Sequence, residues 1–126
     1  MATVNLTKDT FEGIITGSDI ILLDFWAPWC GPCKQFTPVF ESISETHPDI
    51  VFAKVNTEEE RELGGYFNIR SIPTLMAFRE QIIVFSQAGA LPPAGLETVI
   101  EKISELDMDD VRRQVAEQQK SQEDAQ

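Results

Sequence analysis

The chain has 126 residues, 42% of them apolar, which is enough for one compact domain with its own hydrophobic core. Its 21 acidic residues against 10 basic ones give a net charge of -11, which repels phosphate backbones and anionic lipid head groups and argues against nucleic acid or a membrane as partner. The first residues show no basic segment followed by an apolar run, and apolar stretches such as Ile20–Leu23 are far too short to span a bilayer, so a cytoplasmic protein is expected.

The patterning alternates between strand and helix, without internal repeats, which points to an α/β domain. A short strand near Val4 opens it. Thr7 can cap a first helix whose residues Phe11, Ile14 and Ile15 fall on one face. Residues 20–26 are apolar on both alternating faces except at Asp24, as in a central strand covered on both sides. A helix then starts near Cys30, with Phe36, Val39, Phe40 and Ile43 as its buried stripe, a kink expected at Pro38, and Pro48 beyond its end.

Residues 50–56 read as another buried strand, and Thr57 with Glu60 forms a capping-box pattern for a helix to about Phe67. Residues 74–78 and 82–85 are separated by three residues, which predicts an antiparallel hairpin. Pro93 fits the first turn of a helix presenting Leu96, Val99, Ile100 and Ile103. From Asp107 the chain turns polar, with five glutamines in its last thirteen residues; Met108, Val111 and Val115 make a weak apolar stripe that Asp107 could cap. A short, fraying, solvated helix or a disordered tail is expected over 107–126, with a partner-docking segment as the alternative.

The chain has two cysteines, Cys30 and Cys33, too few for a disulfide framework. With the single His47 they cannot close a four-ligand structural zinc site, so no metal is expected. His47 precedes Pro48 at a helix end, where a solvated or capping histidine is the expectation. The run Trp29-Cys30-Gly31-Pro32-Cys33 follows a buried strand and opens a helix, and that placement carries the chemistry. A thiolate at a helix N-terminus faces unpaired N–H groups and the positive end of the dipole, so Cys30 should ionise more easily than a free thiol. Cys33 lies one turn on, close enough to close a disulfide, and should be the shielded partner. Asp24 loses hydration in its apolar strand, which raises its pKa and lets it exchange protons near neutrality.

The segment from Phe25 to Lys34 resembles the thioredoxin active-site signature, and Lys54-Val55-Asn56, Ser71-Ile72-Pro73-Thr74-Leu75 and Gly89-Ala90 follow in the order thioredoxins carry them. The resemblance spans residues 3–106, so residues 1–106 are expected to form a thioredoxin domain and 107–126 an extension outside it. It implies a thioredoxin fold, a central mixed sheet flanked by helices on both faces, with Cys30 as nucleophile and Cys33 as resolving thiol. It also implies a cis Ile72–Pro73 bond beside them, and an extended substrate segment lying on Trp29, Gly31, Pro32, Ile72, Pro73, Gly89 and Ala90. By the same resemblance Asp24 serves Cys33 as proton acceptor and donor through water, and Lys54 modulates its pKa.

Thioredoxins are the standard example of a lowered cysteine pKa, ~7 against ~8.5 for a free thiol. That raises the thiolate fraction at neutral pH about sixteenfold, but a Brønsted slope of ~0.5 returns about sixfold of it, leaving roughly threefold. Holding the target sulfur in line and keeping the resolving thiol close must therefore supply most of the advantage. The implied activity is reduction of protein disulfides by dithiol–disulfide exchange. No bound cofactor is expected beyond the redox-active cysteine pair, with NADPH used indirectly through a thioredoxin reductase. The protein should be a monomer with disulfide-containing proteins as substrates. The competing reading is a thioredoxin-fold binding or chaperone-accessory module with incidental redox activity. One departure stands out: thioredoxins carry glycine in the hairpin after the fourth strand, where this chain reads Arg79-Glu80-Gln81. Positive φ at Gln81 would cost ~1 kcal/mol; otherwise the turn type has changed.

Overall fold

The computed structural model describes residues 2–124. Among these residues the elements run β1 (Thr3–Asn5), α1 (Lys8–Thr16), β2 (Ile20–Trp26), α2 (Gly31–Ser44), β3 (Val51–Asn56), α3 (Arg61–Tyr66), β4 (Thr74–Arg79), β5 (Ile82–Ala88), α4 (Pro93–Ser104) and α5 (Met108–Asp124). The strands form one mixed sheet in the order β1-β3-β2-β4-β5. β2 runs parallel to β3 and antiparallel to β4, which places it in the centre.

Alternation along β2 sorts the core into two layers. Ile21, Leu23 and Phe25 face the layer that holds Phe11, Ile15 and Leu63 from α1 and α3. Leu22 faces Phe36, Phe40 and Ile43 of α2 and Leu96, Ile100 and Ile103 of α4. Asp24, two residues on from Leu22, shares the α2 side of the sheet. The stripe read from residues 36–43 is thus the surface that seats α2 on the strand preceding the cysteines.

Local chemistry explains several boundaries. Thr7 caps α1 in a reciprocal box with Thr10. α2 continues through Pro38, whose ring nitrogen has no hydrogen to offer the Lys34 carbonyl. The capping box expected of Thr57 and Glu60 is not formed. The Thr57 hydroxyl and N–H both donate to the Trp26 carbonyl, at 3.0 and 2.8 Å, and the Glu60 carboxylate accepts from the Lys8 N–H at 2.7 Å. α3 accordingly begins only at Arg61, with no side-chain cap. His47 bridges rather than caps: its Nε2 lies 3.0 Å from Glu97 Oε2, joining the end of α2 to α4.

The β4–β5 hairpin is longer than its apolar pattern suggests, and its loop is only two residues, because Arg79 pairs with Ile82. Glu80 and Gln81 both take positive φ, 51° and 70°, the conformation of a primed turn that matches strand twist. The segment after Asp107 is a helix of 17 residues, longer than the short fraying one expected. Asp107 Oδ1 accepts from the N–H groups of Asp109 and Asp110, Met108 is buried, and Arg112 pairs with Glu80 at 2.7 Å. Arg79 Nη1 donates to the carbonyls of Ile103 and Leu106, each at 2.8 Å, fastening the end of α4 to the same hairpin. No helix among the described residues is long and apolar enough to cross a membrane.

Candidate active site

Cys30 and Cys33 are joined as a disulfide with their Cα atoms 5.2 Å apart. β2 ends at Trp26, and the turn that follows sets Cys30 as the N-cap of α2, with Gly31 and Pro32 as its first helical residues. In this position the Cys30 sulfur accepts the Cys33 N–H at 3.2 Å. A thiolate there would meet the unpaired amides of the first turn, the feature that lowers cysteine pKa at helix N-termini. In the oxidised form both cysteines are nearly enclosed, Cys30 at 4% and Cys33 at 1% exposure, so burial separates them little; position in the helix separates them more.

A surface surrounds the pair. Trp29 is 66% exposed, with its indole N–H donated to Glu58 Oε1. Ile72 packs against the cysteines together with Trp26 and Ala27, and its carbonyl oxygen lies 3.8 Å from Cys30 Sγ. The Ile72–Pro73 bond is cis. The Pro73 carbonyl accepts from the Gly89 N–H at 2.8 Å, and Gly89 takes φ 104°, a conformation that glycine adopts without strain. Gly89 and Ala90, which follow β5 directly, therefore lie beside Pro73, itself next to Ile72.

On β2, the strand that leads to the pair, Asp24 is fully buried, and neither carboxylate oxygen has a protein hydrogen-bond partner among the described residues. Burial pushes its pKa up to about 7, an effect the Lys54 ammonium partly opposes. Lys54 is its neighbour in register on β3. The Lys54 ammonium is shared: Nζ lies 3.7 Å from Glu41 Oε1 on α2 and 4.6 Å from the centre of a Trp26 ring. Glu41, and Glu58 at Trp29, are contacts that the sequence reading passed over. Both join residues distant in the chain, and no local spacing reports them. Among the described residues no group of three or more His, Cys, Asp or Glu side chains is placed to hold a metal ion.

A disulfide at a helix N-terminus, a cis proline beside it and a buried acid on the strand leading to it suit thiol–disulfide exchange. Comparison with known proteins agrees. The thioredoxin family model matches residues 2–102. A putative thioredoxin 2 of Streptomyces coelicolor is 57% identical over 118 residues, covering 94% of this chain and 88% of that protein. The thioredoxin of Haemophilus influenzae is 42% identical over 99 residues, covering 77% of this chain and 92% of its own length. Among solved structures, a Plasmodium falciparum thioredoxin superposes with a TM-score of 0.73 at 34% identity, covering 79% of this chain and 97% of that one. With family, fold and a closed cysteine pair in agreement, the chain belongs to the thioredoxin family and is a thiol-disulfide oxidoreductase.

Proposed function

We propose that the protein works as a reductant of protein disulfides, and that residues 1–106 are the unit that does so, with 107–126 as an appended segment. In the reduced form the Cys30 thiolate attacks one sulfur of the substrate disulfide. A mixed disulfide forms, and the second substrate sulfur leaves as a thiolate that takes up a proton. Asp24 accepts the Cys33 proton through water, and Cys33 attacks the Cys30 sulfur. The first substrate sulfur departs and is protonated, two electrons have passed to the substrate, and Cys30–Cys33 is left as the disulfide.

Trp29, Gly31, Pro32, Ile72, Pro73, Gly89 and Ala90 form the surface that holds the substrate in line, and Lys54 adjusts the proton affinity of Asp24. A thioredoxin reductase drawing on NADPH restores the dithiol, in the cytoplasm, with the protein acting as a monomer. The observation that carries this reading is the position of Cys30. It caps α2 with its sulfur on a backbone N–H, whereas Cys33 lies inside the helix. Insulin-disulfide reduction, coupled to a thioredoxin reductase and NADPH, tests it. Turnover that disappears in Cys30→Ser is expected. Turnover or biological activity retained by the Cys30→Ser, Cys33→Ser variant would point instead to a binding or chaperone-accessory role.

A further inference from the structure

On the Ile72 side of the disulfide lies a cleft of about 300 Å³, lined by Trp29, Ile69 and Ile72 and by two arginines, Arg61 and Arg70. Of the 10 basic residues, six (Lys34, Arg61, Arg70, Arg79, Lys102 and Lys120) form no ion pair among the described residues, and of these six Arg61 and Arg70 line this cleft together. Lys8, Lys54, Arg112 and Arg113 each pair with an acid, and Arg79 is committed to main-chain carbonyls. Neither Arg61 nor Arg70 has a carboxylate oxygen within 4.0 Å among the described residues.

Their surroundings make this more telling. Glu58, Glu59, Glu60 and Glu62 flank Arg61 in the chain, yet each is engaged elsewhere. Glu58 accepts from the Trp29 indole, Glu59 from Asn56, Glu60 from the Lys8 N–H, and Glu62 pairs with Lys8 Nζ. The arginines are steadied through Nε alone and on neutral oxygens: Arg61 on the Glu58 carbonyl and Arg70 on Asn68 Oδ1, each at 3.4 Å. The terminal guanidinium nitrogens, which grip a carboxylate with two parallel hydrogen bonds, have no partner among the described residues.

We infer that this cleft reads an acidic side chain beside the target cysteine, Arg61 and Arg70 receiving an Asp or Glu of the substrate segment as it passes Trp29 and Ile72. The inference rests on the proposed reduction of protein disulfides and adds the class of segment preferred. The cleft lies on the Ile72 side of the disulfide, so the preference should favour an acid on one flank of the cysteine only. The net charge of -11 opposes acidic partners at long range, but salt screens that repulsion beyond about 10 Å, leaving the local pair of arginines to discriminate.

Short peptides carrying a single cysteine as a mixed disulfide with 2-thiopyridine test this. Glu is moved through the positions on either side of the cysteine, with Gln peptides as controls, and thiopyridone release by the reduced protein gives a second-order rate constant. Glu on one flank is expected to react about fivefold faster than Gln, with the ratio shrinking at about 0.5 M salt. The ratio should fall to about one in the Arg61→Gln, Arg70→Gln double variant. Equal rates with Glu and Gln peptides at low salt overturn the inference while leaving disulfide exchange standing, as does a preference that salt or the double substitution leaves untouched. No release from any peptide overturns both. The wild-type peptide and salt measurements decide the matter even if the variant fails to fold.

Discussion

Replacing Asp24 by asparagine should set stability and catalysis against each other. The folded carboxyl has a pKa of about 7, against 3.8 for the free group. Below 3.8 neither folded nor unfolded chain carries this charge, and no penalty exists. As pH rises from 3.8 towards 7 the unfolded chain ionises first, so stability is progressively lost; above 7 both states are charged and the loss levels off. A gap of roughly three pH units at about 1.4 kcal/mol each makes the full penalty on the order of 4 kcal/mol. Asparagine does not titrate, so the stability of Asp24→Asn relative to the parent should rise by about that amount between about pH 3 and pH 8. Urea melts read it as a midpoint difference that grows by about 2 M, given a typical slope of about 2 kcal/mol per M. Its amide finds no more partners than the carboxyl did, an offset present at both pH values that cancels from the comparison. The same variant lacks the acceptor for the Cys33 proton, so mixed disulfides with substrate should resolve up to about a hundredfold more slowly at neutral pH. A stability difference that is the same at both pH values would refute the raised pKa. An unchanged lifetime of the mixed disulfide would refute the proton-transfer role.

Three further outcomes are expected. Cys33→Ser should accumulate a mixed disulfide with substrate through Cys30, because attack proceeds and resolution cannot; mass spectrometry identifies the linked residue, and adducts formed instead by Cys30→Ser through Cys33 would reverse the assignment. Truncation after Leu106 removes the buried Met108 and should cost about 2 kcal/mol in denaturant melts with insulin reduction unchanged, whereas a loss near zero would mean that α5 rests on the domain without stabilising it. Gln81→Gly should raise stability by about 0.5–1 kcal/mol, since relief at φ 70° exceeds the entropy that glycine adds to the unfolded chain; a drop in melting temperature would show that the glutamine side chain contributes there.

Much of the fold was legible because burial writes itself into periodicity. Residues 20–26 are apolar on both faces since β2 is covered by α1 and α3 on one side and by α2 and α4 on the other. The same pattern exposed Asp24 as the one acid in an otherwise apolar strand, and the spacing of the cysteines at a helix start marked the site. The cis Ile72–Pro73 bond and the surface around Trp29 and Gly89 were implied by family resemblance alone, because a local window does not reveal which distant segments meet at a helix end. Thr57 and Glu60 failed as a capping box for the same reason. Each found a partner across the fold, Trp26 and Lys8, that a four-residue motif cannot foresee. The hairpin loop was read one residue too long because Glu80 and Gln81 lack the glycine or asparagine that normally announces a primed turn. Arg112, bound to Glu80, lies far outside any window that would have linked the turn to α5.

The two ends of β2 divide the molecule's business. The sulfur pair follows its Trp26 end, whereas Ile20 at the other end pairs with Arg79, the residue that fastens α4 beside the start of α5. Seven residues of extended chain separate these ends, about 20 Å. An attachment made at the start of α5, such as through the exposed Asp109 beside Arg112 and Glu80, would therefore leave the sulfurs facing away from whatever holds the protein. A bead, an electrode or a fluorescent reporter could be anchored there, and the immobilised protein should still meet its substrates from the open side.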